Sequence, residues 1–269
     1  MLPYPNIDPV LLHLGPLQVR WYGLMYVIGI IASYFLVKKQ ITTFGQKRLE
    51  KHFENINIVL ILSLILGGRL GYVLFYNLPY YLKHPLEIPA TWSGGMSFHG
   101  AAIGLFVGGY SFCKLKKLDF WSMADTYAVT APIGLALGRI GNFINGELFG
   151  RPTALPWAMI FPGGGAVTRH PSQLYEALLE GIVLFVLLWS FRKKPWQETG
   201  QWGHGSLTAL FLIGYGSMRF IIEFFREPDP QIGLFFSLIS MGQILCAAMI
   251  VAGLLLWYWR SRTIRTSTG

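Results

Sequence analysis

The stretch Ile56–Phe75, INIVLILSLILGGRLGYVLF, runs for twenty residues with a single charged side chain, that of Arg69. A helix that spans a membrane needs about twenty mainly apolar residues, because it must cross about 30 Å of hydrocarbon at about 1.5 Å per residue. The stretch therefore predicts a transmembrane helix.

The composition of the whole chain points the same way. Hydrophobic residues make up 53% of the 269 residues, and charged residues only 13%. Soluble domains have about a quarter of their residues charged. This composition excludes soluble, disordered, collagen-like and coiled-coil proteins. We predict an all-α, polytopic integral membrane protein that forms a single domain over residues 1–269.

Seven stretches of the chain are long and apolar enough to predict spans. The first eighteen residues contain no Lys or Arg, so we expect no cleavable signal peptide before the first span. An odd number of spans without internal similarity disfavours a transporter built from inverted repeats. The predicted spans are residues 19–37, 56–75, 96–112, 123–139, 174–191, 205–225 and 235–257.

The basic residues predict the orientation. Most of the 22 lysines and arginines follow the first, third, fifth and seventh spans. Basic loops remain in the cytoplasm, which places the N-terminus outside and the C-terminus inside. The net charge of +9 could also attract nucleic acid, but its placement is explained by orientation, and we predict no nucleic-acid partner. The orienting residues are Lys38, Lys39, Lys47, Arg48, Lys51, Lys114, Lys116, Lys117, Arg192, Lys193, Lys194, Arg260, Arg262 and Arg265.

Seven of the remaining eight basic residues are arginines, and all eight lie within predicted spans or on the outer side. An arginine at membrane depth is costly without a partner or a task. The segment Gly138–Gly150, GRIGNFINGELFG, brings Arg139, Asn142, Asn145 and Glu147 together; the alternative is a solvated helix end.

A second polar segment, Arg219–Arg226 (RFIIEFFR), predicts two arginines one heptad apart on the same helix face. Glu223 lies four residues after Arg219, so the alternative is an intrahelical salt bridge. Glu176 and Glu180 are further candidates to pair with the arginines. Because arginine binds phosphate through a bidentate fork, these segments suit a phospholipid head group.

His99 lies near the outer end of the third span and is a candidate for proton transfer, although a structural role is the alternative. Gly100, Gly104 and Gly108 follow it at intervals of four residues, which predicts close helix packing. Cys113 and Cys246 form neither a disulfide framework nor a metal motif, and we expect both to be packing residues. No motif for a metal, a phosphate-binding loop or a nucleophile elbow is present.

These motifs together resemble those of the bacterial phosphatidylglycerol–prolipoprotein diacylglyceryl transferases. Segment Gly138–Gly150 fits the family signature throughout, and the resemblance covers nearly the whole chain. It implies seven spans with an external N-terminus, in agreement with the orientation predicted from the lysines. Other matching segments are Trp21–Tyr26 (WYGLMY), Met96–Gly100 (MSFHG), Arg169–Tyr175 (RHPSQLY) and Arg219–Arg226.

The resemblance implies an enzyme of the bacterial cytoplasmic membrane whose active site faces the outer leaflet. Such enzymes transfer the diacylglyceryl group of phosphatidylglycerol to the thiol of the lipobox cysteine of a prolipoprotein. A thioether forms and glycerol phosphate is released. The substrate supplies the nucleophile, and no cofactor or metal is expected.

The resemblance also implies roles for individual residues. Arg139 would bind the phosphate, Arg219 would contribute to catalysis, and His99 or an arginine-centred arrangement would activate the thiol. The resemblance further assigns head-group binding or site integrity to Tyr22, Asn142, Glu147, Gly150, Glu223 and Arg226.

Two other classes of function remain as alternatives. A polytopic lipid transporter or flippase would move its substrate without a covalent product. A noncatalytic lipid-binding scaffold would bind head groups without turnover.

Overall fold

A computed structural model describes residues 2–15, 17–197, 202–227, 234–235 and 239–267. Most of these residues are helical. Residues 1–40 and 124–269 form one compact unit, the first unit, and residues 41–123 form the second unit.

Two short antiparallel strand pairs precede helices: β1 (Val10–Leu14) pairs with β2 (Leu17–Arg20) before α1 (Trp21–Thr43), and β3 (Leu234–Phe235) pairs with β4 (Ile239–Ser240) before α11 (Met241–Ser267). The elements in chain order are β1 (Val10–Leu14), β2 (Leu17–Arg20), α1 (Trp21–Thr43), α2 (Lys47–Lys51), α3 (Phe53–Phe75), α4 (Leu78–Lys83), 3-10 turns Pro85–Glu87 and Thr91–Ser93, α5 (Phe98–Lys116), α6 (Phe120–Ala128), α7 (Ala131–Ile144), α8 (Ser172–Glu176), a π-helix (Ala177–Val183), α9 (Leu184–Phe191), a 3-10 turn Lys194–Trp196, α10 (Ser206–Ile222), β3 (Leu234–Phe235), β4 (Ile239–Ser240) and α11 (Met241–Ser267).

Among the described residues, four helical stretches are long and apolar enough to cross a membrane. Their side chains are largely exposed, as expected for helices that face lipid; Phe35 is 63% exposed and Phe75 is 78% exposed. Helix α10 is apolar but shorter. The four stretches are Trp21–Thr43, Phe53–Phe75, Ser172–Trp196 and Met241–Ser261.

The predicted span 123–139 is not one continuous helix. Helix α6 ends at Ala128 and α7 begins at Ala131, with Pro132 in its first turn. Proline is tolerated in a first turn because the N–H that it lacks has no helical acceptor there, but it cannot continue a preceding helix. The two helices have 9 and 14 residues, so neither has the length of a full span.

In the second unit, α3 and α5 pack closely through glycines. A Cβ added to Gly67 would lie 2.8 Å from Gly104 Cα, and one added to Gly71 would lie 2.7 Å from Gly100 Cα. Side chains at these positions would force the helices apart. The close packing predicted from the glycine spacing is therefore confirmed.

Arg69 in α3 has a structural role. Its guanidinium donates to the carbonyl oxygens of Glu87 (2.8 Å), Ile88 (2.7 Å) and Gly94 (2.6 Å), and it lies over the ring of Tyr81. The residue is only 4% exposed. Arg69 thus secures the loop between α4 and α5.

In the first unit, a buried carboxylate fixes the start of α10. Asp125 in α6 accepts hydrogen bonds from the backbone N–H of Gly205 (2.7 Å) and Thr208 (2.8 Å) and from the Thr208 hydroxyl (2.7 Å). A negative charge is favourable at a helix N-terminus, where backbone donors are unpaired. This contact sets the position of α10, whose other end carries Arg219.

Candidate functional site

Three arginines and three glutamates of the first unit meet in one cluster, which we call the arginine–glutamate cluster. Its members come from α7, α8, the π-helix, α10 and the turn after α10. The glutamate side chains are at most 8% exposed, and the arginines are 12% to 20% exposed. The cluster consists of Arg139, Glu176, Glu180, Arg219, Glu223 and Arg226.

Glu176 is the centre of the cluster. Its Oε2 lies 2.5 Å from Arg139 Nε, and its Oε1 lies 2.9 Å from Arg219 Nη1 and 3.2 Å from Arg226 Nη1. The carboxylate is 1% exposed. A buried charge is tolerated when it is paired, and here one carboxylate pairs with three cations. The predicted pairing of Glu176 with the arginines is confirmed.

Glu180 is fully buried on the π-helix, where Leu184 N–H donates to the carbonyl of Leu179, five residues earlier. Its nearest cations are Arg219 Nη1 at 3.7 Å and Arg139 Nη2 at 4.0 Å. Neither of its oxygens accepts a hydrogen bond from a described residue. Glu180 therefore lies beside both arginines at longer distances than Glu176 does and without a hydrogen bond to either.

Glu223 joins the cluster to the start of α11. Its Oε2 lies 2.9 Å from Arg219 Nη2, and its Oε1 accepts a hydrogen bond from Ser240 Oγ at 3.0 Å. Ser240 and Gln243 form a reciprocal capping box, with distances of 3.0 Å and 3.1 Å. A Cβ on Gly242 would lie 2.7 Å from Glu223 Oε1, so glycine leaves room for the carboxylate.

Arg226 reaches the cluster by a different route from the predicted one. Helix α10 ends at Ile222, and Arg226 forms an isolated antiparallel bridge with Gly150. The prediction that Arg219 and Arg226 lie one heptad apart on a continuous helix was therefore wrong. Arg226 still contacts Glu176, because its backbone is held by Gly150 and by Arg151 Nε, which donates to the Arg226 carbonyl at 2.9 Å.

The predicted motif after α7 forms a second polar group. Glu147 Oε1 accepts from Asn142 Nδ2 at 2.8 Å and from Asn145 Nδ2 at 3.1 Å. Its backbone carbonyl accepts from Gln173 Nε2 at 2.6 Å. Ser172 Oγ donates a hydrogen bond to the backbone carbonyl of Leu148 at 3.1 Å. Leu148 has a φ of 58°, which is unusual for a residue other than glycine.

Gly150 and Tyr22 have clear steric roles. A Cβ on Gly150 would lie 2.7 Å from His170 Cβ and would also clash with the carbonyl of Phe225. Any larger residue would therefore open the bridge to Arg226. Tyr22 packs on Gly141 of α7, and its hydroxyl lies 3.0 Å from that of Tyr26.

Arg169 and His170 support the loop rather than the cluster. Arg169 donates to Glu227, Gly164 and Gly150 and lies over the Phe149 ring. His170 Nδ1 lies 3.2 Å from the Tyr175 hydroxyl, and burial lowers the pKa of this imidazole below its ordinary value. Both residues hold the chain around Gly150.

His99 belongs to the second unit, whereas all the arginines of the cluster belong to the first. It is the second residue of α5 and is exposed. Its ring contacts that of Phe98 at 5.8 Å, and it makes no hydrogen bond to a residue that the structure describes. Its imidazole nitrogens are therefore available for proton transfer.

Arg139 is the most exposed cation of the cluster, at 20%. Glu176 holds its Nε, while Nη1 and Nη2 make no hydrogen bond to the described part of the chain. The guanidinium is thus oriented by its ion pairs with Glu176 and Glu180, and the terminal nitrogens of its fork keep their hydrogen-bond donors for a ligand. A phosphate accepts two parallel N–H bonds from such a fork.

Sequence reasoning missed three contributors to the site. Ser240 and Gln243 carry a readable signal, since Ser-x-x-Gln before an apolar run is a capping box. The π-helix has no such signal in the sequence. Over the residues that the structure describes, no group of three or more His, Cys, Asp and Glu side chains could hold a metal ion.

Comparison with known proteins gives a consistent picture. The family described as prolipoprotein diacylglyceryl transferase matches residues 9–259. A protein of Desulfotalea psychrophila named phosphatidylglycerol–prolipoprotein diacylglyceryl transferase is 60% identical over 98% of this chain and 97% of its own length. Proteins of the same name from Geobacter sulfurreducens and Bordetella parapertussis are 50% and 51% identical, over 94% and 97% of this chain and 95% and 98% of their own lengths.

Proposed function

Because the chain belongs to the prolipoprotein diacylglyceryl transferase family, we propose that the arginine–glutamate cluster is where it binds the phosphate of its lipid substrate. The chain is a membrane transferase that acts in lipoprotein biosynthesis, with phosphatidylglycerol as diacylglyceryl donor and a prolipoprotein as acceptor. The relatives favour neither the transporter nor the scaffold alternative, since all three carry the name of the transferase.

The oriented fork of Arg139 carries the proposal. Its Nε lies 2.5 Å from Glu176 Oε2 and its Nη2 lies 4.0 Å from Glu180 Oε2, and neither terminal nitrogen makes a hydrogen bond to a described residue, so both can donate to phosphate oxygens. The three arginines balance the three glutamates, so the cluster is formally neutral before substrate binds. Arg219, fixed by Glu176 and Glu223, would add positive potential beside the phosphate as charge develops on it.

The chemistry follows from the substrates. The acceptor is the thiol of the lipobox cysteine, whose proton passes to His99 or to an arginine-centred arrangement. The thiolate attacks the glyceryl carbon that carries the phosphate ester, a carbon–sulfur bond forms, and the carbon–oxygen bond breaks. The electron pair leaves with the phosphate oxygen, so glycerol phosphate departs and Arg139 stabilises it. No cofactor or metal enters this step.

The remaining site residues shape the head-group pocket. Asn142 orients Glu147, which would accept hydroxyl hydrogen bonds from the glycerol head group. Gly150 keeps Arg226 against Glu176, and Tyr22 presents its hydroxyl beside α7.

The topology remains part of the proposal. We place seven spans in the bacterial cytoplasmic membrane within one domain, with the N-terminus outside and the site towards the outer leaflet. The apolar helices and the basic loops support this arrangement. A site on the outer side would meet a prolipoprotein after its translocation.

The test is a transfer assay on the purified protein with phosphatidylglycerol and a peptide that contains the lipobox cysteine. We expect a diacylglyceryl thioether on the peptide and an equal amount of glycerol phosphate. Arg139→Lys keeps the charge but loses the fork, and we expect it to lower kcat/KM by about 100-fold or more.

The matched control is Arg192→Lys, because Arg192 lies over the Trp189 ring outside the cluster. This control should keep its activity. Full activity of Arg139→Lys would contradict the assignment of Arg139 to the phosphate. The absence of glycerol phosphate from the wild-type reaction would contradict the proposed reaction.

A further inference from the structure

A second basic site lies in the second unit, far in sequence from the arginine–glutamate cluster. It is a pocket of about 310 Å³ at the junction of α2 with α3 and at the C-terminal end of α5. No acidic side chain lines it. The lining residues are Arg48, Lys51, His52, Lys116, Lys117 and Leu118.

The cations of this pocket have no anionic partner. Arg48, Lys51, Lys116 and Lys117 are exposed, and none forms an ion pair with a carboxylate of the described residues. Like charges that converge on one pocket repel each other, and a bound anion would relieve that repulsion.

Helix ends of both signs border the pocket. His52 lines the pocket and is the N-cap residue of α3, where its side chain makes no capping hydrogen bond. The N-terminal end of this 23-residue helix therefore borders the pocket with its positive dipole end, while the C-terminal ends of α2 and α5 border it with their negative ends. The His52 ring is fixed edge-on against Phe112, with centroids 6.2 Å apart.

Membrane orientation alone does not require such a pocket. The positive-inside rule needs basic residues only on the cytoplasmic side, and Lys193 and Lys194 meet that need without lining this pocket. Here two segments more than sixty residues apart in sequence bring four cations together. One apolar side chain, that of Leu118, also lines the pocket.

We propose that this pocket binds the phosphate of an anionic phospholipid from the cytoplasmic leaflet, at a site separate from the catalytic one. The leaflet rests on the proposed orientation. The four cations contact the phosphate oxygens, while Leu118 contacts an acyl chain. Basic pockets on the cytoplasmic side of membrane proteins are suited to anionic head groups.

The experiment uses the full-length protein in detergent and native mass spectrometry with dioleoylphosphatidylserine, an anionic lipid without the glycerol head group of the substrate. The pocket variant Lys51→Gln/Lys116→Gln takes one cation from each segment. The control Lys193→Gln/Lys194→Gln removes the same charge elsewhere. Dioleoylphosphatidylcholine serves as the zwitterionic lipid.

We expect the wild type and the control to retain one more phosphatidylserine than the pocket variant, whose affinity for that lipid falls by about ten-fold or more. Binding of phosphatidylcholine should be equal in all three. Unchanged transfer activity shows that the pocket variant is folded; if it does not fold, the single variant Arg48→Gln replaces it, with the same lipid loss expected.

Two results would overturn the proposal. An equal loss of lipid in the control would show a general surface-charge effect. Displacement of the bound lipid by excess inorganic phosphate, with phosphate itself bound as an adduct, would assign the pocket to a soluble anion. Because the activity assay is separate, failure of the lipid site is distinguishable from failure of the proposed function.

Discussion

At the scale of single residues, Glu176 is the carboxylate on which the cluster depends. Arg139, Arg219 and Arg226 all contact it, and it is 1% exposed. Its removal would leave three buried cations against two carboxylates. The unpaired excess charge, more than the loss of any single contact, is the physical reason to expect a large effect.

We expect Glu176→Gln to lower the free energy of unfolding by about 3 to 5 kcal/mol and to abolish transfer. Glu227→Gln is the matched control, because Glu227 is 42% exposed and its one ion pair within the described part of the chain is with Arg169. We expect it to change stability by no more than about 1 kcal/mol. Thermal unfolding of both variants in detergent measures the difference, and an equal loss in the two variants would contradict the central role of Glu176.

His170 predicts a pH dependence of stability. Burial lowers its pKa below the ordinary value of 6.5, so the unfolded chain binds its proton more readily than the folded chain does. This contribution to stability is complete above the unfolded pKa and is lost as the pH falls towards the folded pKa.

Between about pH 7.5 and about pH 5.5, the melting temperature of the wild type should therefore fall relative to that of His170→Gln. Glutamine is an uncharged replacement that retains a polar group for the Tyr175 hydroxyl. The exposed His13→Gln is the control and should follow the wild type. Identical pH profiles for His170→Gln and the wild type would refute the assignment.

At the scale of elements, the π-helix brings a second carboxylate to the arginines. Gly181 of the π-helix allows this helix to approach α7 as closely as the cluster requires. A Cβ on Gly181 would lie 2.9 Å from Ala136 Cα and 3.2 Å from Ala136 N. Because these are backbone atoms, the contact cannot be relieved by a rotamer change, and α7 must move with Arg139.

We expect Gly181→Ala to destabilise the protein by about 1 to 3 kcal/mol and to reduce transfer activity. Gly23→Ala in α1 is the matched control, since nothing lies within 4 Å of its added Cβ. This change should be neutral or should stabilise the helix by about 0.5 to 1 kcal/mol. Melting temperatures and initial transfer rates of the two variants decide the question; equal behaviour would mean that the approach of the π-helix to α7 is unimportant.

Elements also show where sequence reasoning reached its limit. Arginines at membrane depth carry an energetic signal, so Arg139 and Arg219 could be found, and Glu176 and Glu180 could be named as partners. The end of α10 at Ile222 could not be predicted, because RFIIEFFR has the spacing of a continuous helix throughout. The tertiary bridge between Arg226 and Gly150 overrides this local preference. The same holds for the π-helix, whose sequence ALLEGIV would also suit an ordinary helix.

At the scale of the whole molecule, apolar composition and loop charges were enough to predict an all-α membrane protein. They were not enough to show that the region 120–144 is two helices, since Pro132 is compatible with both a kink and a restart. Length and apolar composition together identify four possible spans among the described residues, and one of them, Ser172–Trp196, carries Glu176 and Glu180 of the site.

The proposed orientation is testable with cysteine labelling. Cys113 and Cys246 are buried, so the parent chain should react little with a membrane-impermeant maleimide. Ala154→Cys and Lys193→Cys add exposed thiols in loops assigned to opposite sides. In spheroplasts, Ala154→Cys should be labelled at once and Lys193→Cys only after lysis. The reverse pattern would invert the topology.

The charge balance of the cluster has a consequence for the synthesis of the chain. Arg139, Glu176 and Arg219 leave the ribosome in that order, so each charge enters the membrane before all its partners exist. After α8 and the π-helix are inserted, two carboxylates face one arginine. Only the arrival of α10 supplies Arg219 and the following Arg226. We therefore expect membrane proteases to recognise nascent chains that stop before Ser206. The insertion of α10 is the step that brings the remaining arginines to the two carboxylates.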